Sequence, residues 1–235
     1  LVTTRKIRLS PSIISIFLVL MVPAFVALIM FVYLFNERTA TSTSRGLIER
    51  FKLEVVLSVS DLINPMRLLV NSAAALGSAH PLFFSSDGSW DYLKALVSPQ
   101  PSSQSAYVGL QDGSFRQVRR VSAGGKIQGT VITEEMRFGF RSISGERATE
   151  NYVFVDDTGK PLAQSSAPTG YDPRKRPWYV EAAAKKKVIL TDPYIFSTTG
   201  LPGLTIAAPF YTGEKLAGVV ATDISLETIS DFLSG

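Results

Sequence analysis

Residues Tyr171 to Tyr179 read Tyr-Asp-Pro-Arg-Lys-Arg-Pro-Trp-Tyr, a stretch that holds two prolines, two arginines and three aromatic residues in nine positions. Proline fixes its own φ and restricts the residue before it, so the stretch is a stiff loop. Arginine offers a planar, permanently charged fork that grips a carboxylate or phosphate through two parallel hydrogen bonds. Tyrosine and tryptophan add apolar area with a polar handle. The chemistry is that of recognition, and the loop contains no nucleophile or base. Read for structure alone, the same residues make a rigid turn entering a helix, with Pro177 at its first position and Trp178 anchored in a core. Both readings stand on the loop by itself.

Outward from the loop, the flanks are patterned. Asn151 to Asp156 and Pro161 to Ser165 predict a hairpin around Asp157-Thr158-Gly159, and Ala106 to Gln111 with Ser114 to Val121 predict another around Asp112-Gly113. Gly129 to Thr133 and Met136 to Ile143 are further strand candidates. After the loop, Trp178 to Lys187 reads as a helix whose lysines sit at its C-terminal end, where they suit the macrodipole. Leu204 to Tyr211 and Lys215 to Thr222 follow as strands, and a terminal helix begins at Ser225. Between His80 and Gln104 the Ser- and Pro-rich composition predicts loops around one short helix, Trp90 to Val97. Successive hairpins crossed by a helix predict an α+β fold with helices packed on one antiparallel sheet.

The loop with these flanks, followed by Thr191-Asp192-Pro193-Tyr194 and by an apolar strand that ends in Asp223, resembles the Cache family of extracytoplasmic sensor domains. The likeness is greatest to the membrane-distal module of double Cache receptors and spans roughly 35–235. It implies a PAS-like antiparallel sheet of five or six strands flanked by helices. It also implies a pocket for a small zwitterion such as an amino acid. In the Tyr-x4-Arg-x-Trp-Tyr motif, here Tyr171, Arg176, Trp178 and Tyr179, the family gives the first three residues to the ligand carboxylate. Asp223 matches the aspartate that takes the ammonium, with Tyr179 assisting. Tyr194 either lines the pocket or packs, and Asp223 alone could instead cap the terminal helix. Asp172 and Arg174 are expected to set loop geometry. Where amino-acid-binding members often carry an acidic residue two positions after the tyrosine matching Tyr194, this chain has Phe196. The run from Tyr107 to Arg120 looks like Cache segments of bacterial adenylate/guanylate cyclases.

Ahead of the sensor module, Ile13 to Phe35 is a run of 23 residues without a charge, roughly 34 Å of helix, long enough to cross a bilayer. Arg5, Lys6 and Arg8 precede it, whereas Glu37 and Arg38 nearly cancel after it, so the N-terminus is expected in the cytoplasm and the remainder outside the cell membrane. From Ile48 to Leu76 apolar residues recur every three or four positions, predicting a long helix that Pro65 kinks or divides. Its stripe packs on the following domain, and such helices also suit a homodimer. The expected organisation is a cytoplasmic segment 1–12, a transmembrane helix 13–35, a juxtamembrane helix 36–79 and a membrane-distal Cache module 80–235.

Composition narrows the function. The net charge of +4 has no aromatic-interleaved stripe, which disfavours nucleic acid. There is no cysteine, and His80 is the single histidine, so no thiol chemistry and no histidine cluster is available. Neither a Gly-x-Ser-x-Gly elbow nor paired carboxylates at catalytic spacing occur, so no catalytic residue, metal or cofactor is expected. The partners expected are a small carboxylate or amino acid, the membrane and a second copy of the chain. The alternatives are a sensor of organic acids or other small ligands, and a structural dimerisation element without ligand. As a receptor the chain would act through an output domain beyond it, a nucleotide cyclase first, with a histidine kinase, diguanylate cyclase or chemotaxis signalling domain as the other options.

Overall fold

Side chains that point alternately to either side of central strands buried almost throughout give the fold its two packed faces. A computed structural model describes residues 11–98, 103–144 and 149–234, with side chains of the first helix described at 17–32 and from 57 onward. In chain order the elements are α1 (Pro11–Ala79), α2 (Gly88–Val97), β1 (Ser105–Leu110), β2 (Phe115–Arg120), β3 (Lys126–Ile127), β4 (Thr130–Val131), β5 (Phe138–Ile143), β6 (Thr149–Val155), β7 (Pro161–Pro168), α3 (Pro177–Lys185), β8 (Ile189–Leu190), β9 (Tyr194–Ile195), β10 (Pro202–Thr212), β11 (Lys215–Ser225) and α4 (Leu226–Ser234). The chain divides into two units, Leu1–Val56 and Leu57–Gly235.

In the second unit the main sheet is antiparallel in the order β7-β6-β5-β2-β1-β11-β10-β8, with β9 also paired to β10. The expected class, an antiparallel sheet flanked by helices, is what forms. The sheet has nine strands among the described residues rather than five or six, because β7 widens one edge and the two-residue β8 and β9 both pair with β10. The strand expected over Gly129 to Thr133 is instead half of a small hairpin, β3 with β4, in a separate two-stranded sheet. Gln128 at φ 46° and Gly129 at φ 79° supply the two positive angles of a tight hairpin turn there, and a continuous strand could not hold them.

Because side chains alternate across a pleated strand, each central strand feeds both faces. One face carries Ala106, Val108, Val118, Ile206, Ala208, Phe210, Val220 and Ile224, packed on Leu62, Met66, Val70 and Ala73 of α1 and on Leu93 and Val97 of α2. Each such large side chain contributes about 1.5–3 kcal/mol by leaving water. The stripe expected on α1 is therefore a packing stripe over 62–73, and the earlier part of the pattern, from Ile48 to Val55, lies outside the described side chains. Pro65 does not divide α1, whose helical assignment continues to Ala79. Proline costs one backbone bond, and the burial of Ile63 and Met66 on either side of it opposes a break.

In the first unit the side chains Phe17 to Val32 are all exposed. Among the described residues no helix is long and apolar enough to cross a membrane. The ends of the expected span, 13–16 and 33–35, lie outside the described side chains.

The opposite face of the sheet carries Tyr107, Phe115, Ala207, Val219 and Ala221 against Trp178, Tyr179 and Ala182 of α3. This close approach needs Gly109 of β1. A Cβ there would stand 2.8 Å from Pro173 Cβ and 2.9 Å from Trp178 Cη2, both rigid neighbours. Gly109→Ala is expected to destabilise the chain by about 1–3 kcal/mol, the usual cost of overpacking. Urea unfolding of the two proteins measures it, and an unchanged midpoint would mean that α3 can ride up without loss.

Candidate ligand-binding cleft

On the α3 side of the sheet a buried carboxylate sits among hydroxyls. Asp223 is only 6% exposed. Its Oδ1 accepts from the Tyr107 hydroxyl at 2.5 Å and the Thr205 hydroxyl at 2.7 Å, and its Oδ2 accepts from Ser105 at 3.1 Å. The strand registers bring these groups together, since Ser105 and Thr205 both stand directly opposite Asp223 and Tyr107 lies two residues along β1. Thr205 spends its proton on Asp223, so it accepts from the Tyr194 hydroxyl 2.6 Å away. A carboxylate has room for about four acceptor contacts, and three are used, which leaves one at Oδ2. Burial pushes the Asp223 pKa up to about 6, against the opposing pull of the hydrogen bonds from Thr205, Tyr107 and Ser105 and of the Arg119 charge.

The loop 171–179 forms the wall above this floor. Asp172 and Arg174 do set its geometry, joined by two contacts of 2.9 and 3.0 Å, and the Arg174 guanidinium also reaches the Gln111 carbonyl at 3.3 Å. Pro177 opens α3 as its first residue. Trp178 is 1% exposed and packs edge-on to Tyr107 at 5.0 Å between ring centres, so it is both core anchor and cleft lining. Burial raises the Tyr171 hydroxyl to about 12, opposed by the charges of Arg141 and Arg176. Arg176 lines the cleft with its guanidinium 5.8 Å from the Tyr171 ring centre, and among the described residues no carboxylate pairs with it.

Of the six residues picked out by sequence, Tyr171, Arg176, Trp178, Tyr194 and Asp223 line one cleft. Tyr179 does not join them. Its hydroxyl donates to Gln111 Oε1 at 3.0 Å, because α3 turns successive side chains by about 100° and the next position after Trp178 faces the β1–β2 turn. The alternative role of Asp223 as a helix cap falls to Ser225, whose Oγ accepts from the Thr228 amide at 3.1 Å. Sequence reasoning missed Tyr107, Gln117, Arg141 and Thr205. Arg141, 5% exposed, pairs with Glu150 and lies under the Tyr171 ring at 4.5 Å, so it props the loop from below. A charged residue inside the apolar run Phe138 to Ile143 was the available signal. Phe196 is buried against Tyr194 at 5.3 Å, giving the cleft an apolar end. The cleft is narrow, with about 10 Å³ free, the space of a single water, so a larger guest must displace side chains of the wall. A roomier recess of about 340 Å³ around Arg116 and Ser142 lacks these converging buried groups.

The family model for the methyl-accepting chemotaxis protein-like first PDC sensor domain matches residues 91–231. Adenylate cyclase 1 of Rhizobium meliloti is 29% identical over 146 residues, covering 60% of this chain and 22% of that protein. The methyl-accepting chemotaxis protein PscA of Pseudomonas syringae pv. tomato is 42% identical over 87 residues, 37% of this chain and 13% of that protein. The chain thus spans under a quarter of the length of either relative. Among solved structures, the ligand-binding domain of the Pseudomonas fluorescens chemoreceptor CtaA in complex with L-alanine is 22% identical, with a TM-score of 0.49, over 80% of this chain and 62% of that one.

The raised pKa of Asp223 has a definite sign. The folded carboxyl takes up its proton near pH 6, whereas the ordinary carboxyl waits until about 3.8. Between these values the folded state holds more protons than the unfolded one, so stability rises as pH falls from 7 toward 5. Relative to an Asp223→Asn variant, the chain should gain unfolding free energy over that interval. Paired urea titrations at pH 5, 6 and 7 test it, and a difference that is flat or shrinks on acidification would refute the assignment.

Proposed function

Because the chain belongs to the family of methyl-accepting chemotaxis protein-like first PDC sensor domains, a Cache-type family, we propose that its cleft binds a free α-amino acid and that the chain is the extracytoplasmic sensor of a membrane receptor. One observation carries the ligand: a guanidinium without a carboxylate partner, Arg176, faces the same cleft as a buried carboxylate with an unused acceptor site, Asp223. That pairing of charges complements a zwitterion. Each desolvated charge of the ligand then meets an opposite one, and neither is left buried and uncompensated. Tyr171 and Trp178 stand beside Arg176 as neutral donors for the carboxylate. Tyr179, turned toward Gln111, supports the loop and takes no part in the ammonium site.

The chain senses and does not itself catalyse. A longer parent protein carries the output domain in this reading, and a nucleotide cyclase is favoured because the match to Adenylate cyclase 1 covers 60% of the chain against 37% for the chemotaxis protein. The receptor is anchored through 13–35, with 1–12 in the cytoplasm and 80–235 outside the cell membrane. Sixteen consecutive exposed side chains, Phe17 to Val32, with no charge among them, support burial in lipid. The long helix ahead of the sensor suits a homodimer, in which ligand acts only through its differential affinity for two states.

Two outcomes follow. Arg176→Ala should weaken amino-acid binding by about 2–5 kcal/mol, roughly 30-fold to several thousand-fold. Asp223→Asn should weaken amino acids far more than acetate or pyruvate. Calorimetry with amino acids, amines and organic acids reads both. Binding of a carboxylate that lacks an amine, indifferent to Asp223→Asn, would instead make this an organic-acid sensor. For topology, a periplasmic reporter fused after Gly235 should be active and a cytoplasm-only reporter silent, and the opposite result would overturn the orientation.

A further inference from the structure

We propose that Gln117 selects the ligand's side chain, favouring amino acids that carry a neutral hydrogen-bond donor, carboxamides foremost. The inference rests on the amino-acid reading of the cleft and adds to it the class of side chain. Gln117 lies on β2, directly opposite Tyr107 of β1 and Arg141 of β5, on the same face of the sheet as Asp223. It is 3% exposed, lines the cleft, and its buried Oε1 has no hydrogen-bond partner among the described residues. An unmet acceptor this deeply buried is costly, and buried polar groups of this kind are rare in folded proteins. A guest that supplies the missing donor removes that cost, and one that cannot leaves it in place.

The surrounding charges decide which donor fits. Arg141 faces the same end of the cleft, but its guanidinium is bound to Glu150, so the pair is neutral in sum. Arg119, the next residue of β2 on the same face, adds positive charge to the neighbourhood. Phe115 and Phe196 complete the wall with apolar rings. A cationic side chain would therefore meet like charge and no free carboxylate, since Asp223 is taken by the ligand's ammonium. A carboxylate side chain would find its natural partner, Arg141, already occupied. Turning the Gln117 amide to offer Nε2 satisfies one of its oxygens, but its charge then has only Arg119 to answer it, a charge already shared with Asp223, and stands beside Glu150. A carboxamide presents N–H donors beside a carbonyl acceptor, as Gln117's own amide does, so the two groups can bond in both directions without any net charge being buried.

Calorimetry on the 235-residue chain in detergent, with L-asparagine and L-glutamine set against the near-isosteric L-leucine and L-methionine, and with L-glutamate, tests this. The carboxamides should bind at least about tenfold more tightly than the aliphatic partners. Gln117→Leu, or the closer isostere Gln117→Met should the first fail to fold, is expected to bring that ratio to about one or below while leucine binding is retained. Equal affinity for asparagine and leucine in the unaltered chain, an unchanged ratio in the variant, or tightest binding of glutamate would each overturn the proposal. The two levels separate cleanly. Binding that collapses in Arg176→Ala yet shows no side-chain preference removes the role of Gln117 alone, whereas no binding of any amino acid removes the zwitterion reading and this inference with it.

Discussion

A carboxylate 6% exposed, with no salt-bridge partner among the described residues, can be kept in a protein interior only if hydrogen bonds replace the water it gave up. For Asp223 those bonds come from two neighbouring strands, Ser105 and Tyr107 on β1 and Thr205 on β10, with β11 between them. A slip of one residue in either pairing would turn the hydroxyls to the other face and leave the charge bare. The requirement therefore constrains the central register of the sheet. It also orders the second layer, because Tyr194 is held through Thr205 and Trp178 is packed against Tyr107.

The loop above depends on a different economy. Its charged residues divide into a neutralised pair at the rim and an arginine held inside the cleft. Asp172 and Arg174 neutralise each other at the rim, and Arg141 with Glu150 does so beneath Tyr171. Of the two loop guanidiniums, that of Arg176 has no carboxylate partner among the described residues. Guanidinium is weakly hydrated and stacks on aromatic faces, so an unpaired arginine can rest beside Tyr171 at small cost until an anion arrives. Stacking of this kind holds a binding group in place without consuming its hydrogen bonds.

What could be read from sequence followed from local chemistry. The hairpin at Asp112-Gly113 announced itself because its turn needs a positive φ, which Gly113 supplies at 89°. The start of α3 was legible in Pro177, and the pocket residues of the loop in a motif only nine residues long. Asp223 was legible as a carboxylate closing an apolar strand. What stayed hidden was convergence over distance. Tyr107 and Asp223 are 116 residues apart in the chain, and nothing near either one signals the other. Gln117 and Arg141 likewise acquire meaning only when β2, β5 and the loop are brought together, and Tyr179 was misplaced because motif adjacency does not tell which way a helix turns each side chain. The extra strands were missed for a related reason, since β8 and β9 are two residues each and exist only as partners of β10.

The sheet beneath the cleft is one layer thick, and β11 serves both of its faces. Asp223 and Ala221 look toward the loop, while Val220 and Ile224, their immediate neighbours, are wedged into the apolar layer that holds the 62–73 stretch of α1. A peptide backbone cannot move one of these side chains without moving the next. The 62–73 stretch of α1 and the cleft therefore share a common wall, so a side chain pushed on one surface of that wall strains its neighbour on the other.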